Sequence, residues 1–428
     1  MGASALRTAL ETGKLNEKLA HIYVRSEKEA EKYARRALKA VDTFEALYGE
    51  NRELFLFSAP GRTEVGGNHT DHQRGRVLAA GVNLDVIAVV AKNEGTQIRV
   101  KSEGHAEDVV DCADTAIHEE EKNTSNALLR GVCAAFKEMG YEIGGFDAYT
   151  TSDVLTGSGL SSSAAFEVLL GTILNGLYCK GEVSALKIAQ IGQYAENVYF
   201  GKPCGLMDQA ASSIGSFITI DFEDKENPKV EQVDFDFAGC GYNLCIVDTH
   251  GDHADLTPDY AAIPAEMKSV AACFGKEVLR EVEPAAFFEK LPELRGKVSD
   301  RALLRAIHFF GDNDRVPLQV EALRRGDFDT FRALVVESGN SSSMYLQNVF
   351  SSVHPERQEI SLALAICRQL LEPRKGAWRV HGGGFAGTVQ AFVPADFTEE
   401  FRTVMEKVFG KGSCYTLAVR PVGGVQIF

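Results

Sequence analysis

Apolar and polar positions change their spacing several times along the chain, and each change predicts an element. Residues 5 to 48 read as helical, with a charged face supplied by Glu27, Lys28, Glu29, Glu31, Lys32, Arg35 and Arg36. The run Leu54-Phe55-Leu56-Phe57 predicts a buried strand that stops at the turn signal Pro60-Gly61. Val82 to Val90 and Gln97 to Lys101 predict two strands joined at Asn93-Glu94-Gly95. A helix is expected over 125–139 and a strand over Phe146 to Thr151. The period then shifts at Thr156 to Ser163, where a Gly- and Ser-rich loop leads into Leu169/Leu170, Ile173/Leu174 and Leu177 at helical spacing. A second helix, Ala185 to Phe200, is expected to end at Gly201 with Pro203 just beyond. Phe217 to Phe222 and Tyr242 to Val247 read as strands, and Tyr260 to Leu370 as mainly helical. Trp378 to Val380 is strand-like and precedes Gly382-Gly383-Gly384. Strands and helices without regular alternation predict an α+β fold rather than a doubly wound sheet.

Composition narrows the function classes. The 428 residues suggest two or three domains at about 150 each, and a domain change is expected near residue 212. Apolar and charged fractions of 45% and 25% are those of a globular chain with an ample core. A net charge of −15 argues against a protein that coats nucleic acid, while leaving room for an anionic substrate in a local pocket. Met1 to Ala20 has no uninterrupted apolar run, so no signal peptide is expected, and Val77 to Ala91 is too short to span a bilayer. Nine cysteines without a C-x-x-C pair fit free thiols in a reducing cytoplasm.

Three segments carry candidate chemistry. In Gly157-Ser158-Gly159-Leu160-Ser161-Ser162-Ser163 two glycines permit close backbone approach to an anion. The helix that follows offers unpaired N–H groups and a positive dipole end. The hydroxyls could instead simply cap that helix. There is no G-x-x-x-x-G-K-S/T motif, and Ser162 replaces the third glycine of a dinucleotide fingerprint. Glu196 and Asp208 flank Gly201 to Gly205; one could complete a Mg²⁺ site with phosphate oxygens and the other act as a base. Equally, both could be surface carboxylates. Arg62, Asn68, His69, Asp71 and His72 form a dense polar cluster after a buried strand. It suits hydroxyl-rich ligands better than a metal.

Together these segments resemble the GHMP family of small-molecule kinases, and within it the galactokinases. Ala59-Pro60-Gly61-Arg62 with His69-Thr70-Asp71 is similar to the galactokinase signature, Gly157 to Ala164 to the phosphate loop G-x-G-L-S-S-S-A, and Pro203 to Gln209 to the segment with the catalytic aspartate. Asp259-Tyr260 and Glu266 resemble the region of a sugar-contacting tyrosine, and Gly382 to Gly387 the third family motif. The resemblance implies a two-domain α+β kinase, 1–212 with an N-terminal helical extension and 213–428, with its active site in the cleft between them. It implies transfer of the ATP γ-phosphoryl group to the anomeric hydroxyl of a sugar; with the charge, hydropathy and thiols above, the expectation is a cytoplasmic enzyme that binds no nucleic acid or membrane, its oligomeric state open with a monomer favoured. Asp208 would take the C1 proton and Arg62 would hold Asp208 anionic. Gly157 to Ser163 would bind the ATP phosphates, Ser163 and Glu196 would hold Mg²⁺, and Asn68, His69, Asp71, Gly205 and Tyr260 would hold the sugar.

The family pattern G-R-V-N-L-I-G-E-H-T-D-Y appears here as Gly61-Arg62-Thr63-Glu64-Val65-Gly66-Gly67-Asn68-His69-Thr70-Asp71-His72. Asn68 therefore replaces a Glu that accepts from the sugar 6-hydroxyl. An uncharged amide opens galacturonate, or another galactose derivative, as an alternative to galactose. A non-catalytic galactose-binding sensor is the reading from a different class, and the retained Arg62, Ser161 to Ser163, Glu196 and Asp208 argue against it. Leu155 and Ala386 replace a proline and a glycine, and Ser343-Met344-Tyr345 stands for the family's Asp-Asp-Tyr.

Overall fold

A computed structural model describes residues 4–154, 159–251 and 256–428 of the chain. Leu155, Gly157 and Ser158 lie outside the described residues. The helical N-terminus is three helices, Ala5–Glu11, Asn16–Tyr23 and Glu27–Tyr48. The breaks fall at Gly13 and Val24, both with positive φ, and Ser26 restarts the chain through a capping box with Glu29. Ala30, Ala34, Ala37, Val41 and Phe44 face a common core with Leu56, Ile87 and Val89. That spacing is the 3.6-residue stripe of a helix laid on a sheet.

The described strands are β1 (Phe55–Gly66), β2 (Arg76–Lys92), β3 (Gln97–Ser102), β4 (Glu107–Asp111), β5 (Phe146–Ser152), β6 (Phe217–Asp221), β7 (Lys229–Val233), β8 (Tyr242–Asp248), β9 (Ala377–His381), β10 (Thr388–Pro394), β11 (Cys414–Leu417) and β12 (Val425–Gln426). They form two sheets. The larger runs β12-β1-β2-β5-β3-β4, with β6 on β2 and β7 beyond it; the smaller runs β11-β8-β10-β9. Only the β3–β5 pair among those described is parallel.

The strand expected to stop at Pro60-Gly61 instead continues to Gly66. Its pairing with β2 slips between Pro60 and Arg62 and again between Glu64 and Gly66. A bulge tolerates a residue with no N–H to donate, so the turn signal bends the strand without ending it. β2 is long enough to serve two partners: Arg76–Ala80 pairs with β6 and Val86–Lys92 with β5. The division expected between 212 and 213 falls inside the helix Met207–Ile214, and the larger sheet draws strands from both sides of it, including β12 against Phe57 and Ser58.

The helix Ser162–Tyr178 is buried on nearly every side, with Val168, Leu169, Leu170, Ile173 and Leu174 in the main core. Past residue 256 the helices Phe328–Ser341 and Glu359–Leu371 pack on the smaller sheet and Asp300–Arg324 on one flank of β2, while Thr257–Ala272 and Pro284–Leu294 pack with Asp300–Arg324 in a helical core of their own. Among the described residues no helix is long and apolar enough to cross a membrane, and the nine cysteines are free thiols.

Candidate active site

The bulge in β1 brings three chain segments together. A side chain at Gly61 would press on the Leu160 carbonyl, and the Arg62 N–H donates to that same carbonyl at 3.0 Å. The Arg62 guanidinium then forks onto Asp208, with Nε to Oδ1 at 2.7 Å and Nη2 to Oδ2 at 2.8 Å. Its third nitrogen, Nη1, donates to the Gly159 carbonyl. Asp208 sits in the first turn of the helix Met207–Ile214, where the dipole favours an anion. Burial pushes its carboxyl upward, but the Arg62 charge and hydrogen bonds, with the Ser161 hydroxyl, hold it below the ordinary carboxylate range. The side chain remains 31% exposed, so a substrate hydroxyl can reach it.

Ser161 has left-handed backbone, and its hydroxyl donates to Asp208 rather than capping the helix that starts at Ser162. The first-turn N–H groups there have no side-chain cap, an anion-accepting arrangement. Gly159 has φ +72, and a side chain on it would crowd His381 and Thr388, which flank the third glycine motif.

Glu196 lies in the wide final turn Ala195–Phe200, which closes on Gly201 with φ 86. Its Oε2 accepts from Gln209 Nε2 at 3.0 Å, and the same amide donates to Glu167 Oε2 at 2.9 Å. Lys202 Nζ reaches Glu196 Oε1 at 3.3 Å. Burial and the Glu196 charge push Glu167 well above its ordinary range, and its Oε1 is buried without a partner. A carboxylate pair this short of cations fits a divalent ion delivered with a nucleotide, which takes one or two carboxylates and completes its shell with phosphate and water. Ser163, in the exposed first turn one turn before Glu167, is on the same helix face. Among the described residues no cluster of three His, Cys, Asp or Glu is arranged to hold a metal by itself.

The sugar motif meets the third glycine motif. Asn68 Nδ2 donates to Gly382 O at 2.8 Å, His69 Nε2 to Gly383 O at 2.9 Å, and Tyr260 Oη to Gly384 O at 2.8 Å. Gly382 and Gly384 have φ of 68° and 85°, which these three turned carbonyls require. Burial, then the His72 charge, push His69 down to about 4. The Asp71 carboxylate packs against Gly205, where an added side chain would lie 3.2 Å from Oδ2.

Asn68 does not present a free group to a sugar in this structure. Besides Gly382, its amide donates to Glu64 Oε1 at 2.8 Å and accepts from Asn348 Nδ2 at 2.8 Å and Ser342 Oγ at 3.3 Å. Its backbone N–H donates to Asp312 Oδ2 and its carbonyl accepts from His308 Nε2, both at 2.9 Å. Glu64, Glu167, Gln209, His308, Asp312, Asn348 and Arg379 are thus site-building residues absent from the expected set. Two signals for them exist in the sequence. Glu167 follows Ser163 by one helical turn, and Glu64 is a carboxylate where the family pattern has Asn.

Comparisons with known proteins point to one family. Residues 42–92 match the galactokinase galactose-binding signature, and residues 126–216 match the GHMP kinases N terminal domain. The chain is 32% identical over 368 residues to a galactokinase of Streptomyces coelicolor, covering 86% of this chain and 92% of that one. A galactokinase of Glaesserella parasuis is 32% identical over 378 residues, with the same coverage. In fold, the chain is similar to Lactococcus lactis galactokinase complexed with galactose, with a TM-score of 0.76 at 24% identity over 91% of this chain and all of that one.

Proposed function

The chain belongs to the galactokinase family of the GHMP kinases, and on that premise we propose that it transfers the γ-phosphoryl group of ATP to the C1 hydroxyl of galactose. The products are galactose 1-phosphate and ADP. The observation that carries the reading is the two-pronged hold of Arg62 on Asp208 beside Gly159 and Ser161.

Asp208 accepts the C1 proton as O1 forms its bond to the γ-phosphorus and the bond from that phosphorus to the ADP oxygen breaks. An anomeric hydroxyl is more acidic than an ordinary alcohol, so a carboxylate held below its usual range is still a sufficient base once the two are aligned. Arg62 keeps Asp208 ionised and offsets charge at the reacting oxygen. The uncapped first turn at Ser162 and Ser163, with Gly157 to Ser161 before it, receives the phosphates. Ser163 and Glu196 would hold Mg²⁺, which would supply charge neutralisation for the transferring phosphoryl group. Asp71 against Gly205, with His69 and Tyr260, forms the sugar side. We place the enzyme in the cytoplasm, in keeping with its free thiols.

The test is ADP release with ATP and Mg²⁺ across galactose, galacturonate, N-acetylgalactosamine, glucose and arabinose, with the product identified by phosphorus NMR. Galactose should lead, giving a 1-phosphate. Turnover of none of the five, with galactose still binding, would replace the kinase by a galactose-binding sensor.

A further inference from the structure

Two positions of the sugar motif carry each other's residue. The galactokinase pattern has Asn then Glu, four residues apart; this chain has Glu64 then Asn68. The two touch, with Asn68 Nδ2 donating to Glu64 Oε1 at 2.8 Å. The same oxygen accepts from Arg379 Nη2 at 2.9 Å. Glu64 is 6% exposed and Arg379 fully buried, and Arg379 is fixed further by the carbonyls of Val65 at 2.5 Å and Val380 at 3.0 Å. Arg62, two residues before Glu64 on the same face of β1, forks onto Asp208, so the Glu64 carboxylate lies beside the reaction site; burial pushes its carboxyl up and the Arg379 and Arg62 charges oppose that.

The amide of Asn68 is fully used. Both of its hydrogens and its oxygen are engaged by Glu64, Gly382, Asn348 and Ser342. It has nothing left for a C6 hydroxyl. Glu64 is in the opposite state: among the described residues its Oε2 accepts no hydrogen bond, and it is not among the sealed, partnerless atoms. We propose that Glu64 and Asn68 work as one exchanged pair, in which Glu64 supplies the carboxylate of the sugar subsite and makes it select a neutral C6 hydroxymethyl over a uronate. This rests on the galactokinase reading and names the feature that sets its substrate class. The Arg379 charge is already matched by Glu64, so a uronate in this subsite would bring an uncompensated anion, and like charges in a desolvated site are strongly disfavoured.

The exchange has to be concerted. Asn68→Glu alone sets two carboxylates in contact with one arginine, and Glu64→Asn alone leaves Arg379 buried without a countercharge. The test is a double-mutant cycle of E64N, N68E and E64N/N68E, read as kcat and KM for galactose and as thermal unfolding, with E64Q read as the galactose-to-galacturonate ratio. Each single exchange should cut kcat/KM for galactose about 100-fold, mainly through KM, and the double variant should recover at least about tenfold over the worse single one. E64Q should move the ratio toward galacturonate by about tenfold or more. A double variant that loses the product of the two single losses overturns the pair, as does an unchanged ratio in folded E64Q. The double variant keeps a carboxylate for Arg379, so the test stands even where E64Q does not fold. Wild-type turnover of galactose with either of those results leaves the kinase reading intact; no wild-type turnover of galactose removes that reading and this proposal with it.

Discussion

Replacing Asp208 by Asn keeps the shape of the side chain and removes its charge. It also changes one of its two acceptors into a donor. In the wild type Oδ1 receives Arg62 Nε at 2.7 Å and Oδ2 receives Arg62 Nη2 at 2.8 Å together with the Ser161 hydroxyl. Whichever way the amide turns, its NH₂ faces an Arg62 donor, so one prong of the fork is lost and the guanidinium keeps a positive charge without its partner. A lost hydrogen bond to a charged group costs about 1.5–3 kcal/mol, and the melting temperature should fall by several degrees. Catalysis should fall further. A positioned base contributes about 10²–10⁴-fold, or about 3–5.5 kcal/mol of barrier at 1.36 kcal/mol per decade. Coupled ADP release should therefore show kcat down by at least about 100-fold, while the KM for ATP stays within about threefold. Calorimetric binding of galactose to the folded variant separates chemistry from binding. A kcat within tenfold of wild type in a folded Asp208→Asn protein refutes the assignment of Asp208 as base. The acid limb gives an independent check. Asp208 is held below the ordinary carboxylate range, so its stabilising contribution is complete above the unfolded value of about 3.9 and disappears only as pH falls through the lower folded value. Loss of its proton-accepting form should accordingly leave kcat/KM flat from about pH 5 to neutrality.

The N-terminal helices should behave as part of the fold. Fully buried Asp85 accepts from Tyr23 Oη and Arg36 Nη1 at 2.6 Å each and from Arg420 Nη1 at 3.1 Å, so Arg36→Ala should cost about 3–5 kcal/mol in urea unfolding. A cost under about 0.5 kcal/mol would make the extension a mere appendage. Glu196→Gln should raise the Mg²⁺ concentration for half-maximal rate by about tenfold or more, and an unchanged requirement would remove Glu196 from the metal site. His381 is pushed down to about 3 by burial and the Arg62 and Arg379 charges. A histidine kept neutral by the fold stabilises fully above its unfolded value of about 6.5 and loses that contribution as pH falls toward the folded one. The stability difference between wild type and His381→Asn should therefore shrink between pH 7 and pH 4, and a difference that stays constant would mean that His381 takes up its proton as readily in the folded state as in the unfolded one.

What could be read from the sequence, and what could not, follows from the range of each interaction. The helical N-terminus, the two strands around Asn93-Glu94-Gly95 and the buried helix after the phosphate loop are set by local period, and they appear where the period predicts them. Local signals fail where a partner overrides them. Pro60-Gly61 is turn chemistry, but β2 offers a continuous partner on both sides, so the strand absorbs the pair as a bulge and carries Arg62 on to Asp208. Short strands such as β7 and β12 exist only because a longer strand is already there to pair with. The candidate site divides in the same way. Arg62 and Asp208 are 146 residues apart, and no spacing rule could join them; their motifs could, because each motif fixes a local backbone that serves one ligand. The exchange at 64 and 68 lies within one twelve-residue segment, yet four residues along a strand do not by themselves share a contact. Here the second bulge, between Glu64 and Gly66, and the left-handed turn at Gly67 fold the chain back so that the two side chains meet. The backbone irregularity that hides this pair from a periodic reading of the sequence is thus the same irregularity that creates it. A straight β1 would put Asn68 on the same face as Glu64 but about 13 Å further along the strand, and Arg379 would hold a carboxylate with no neighbour to orient it.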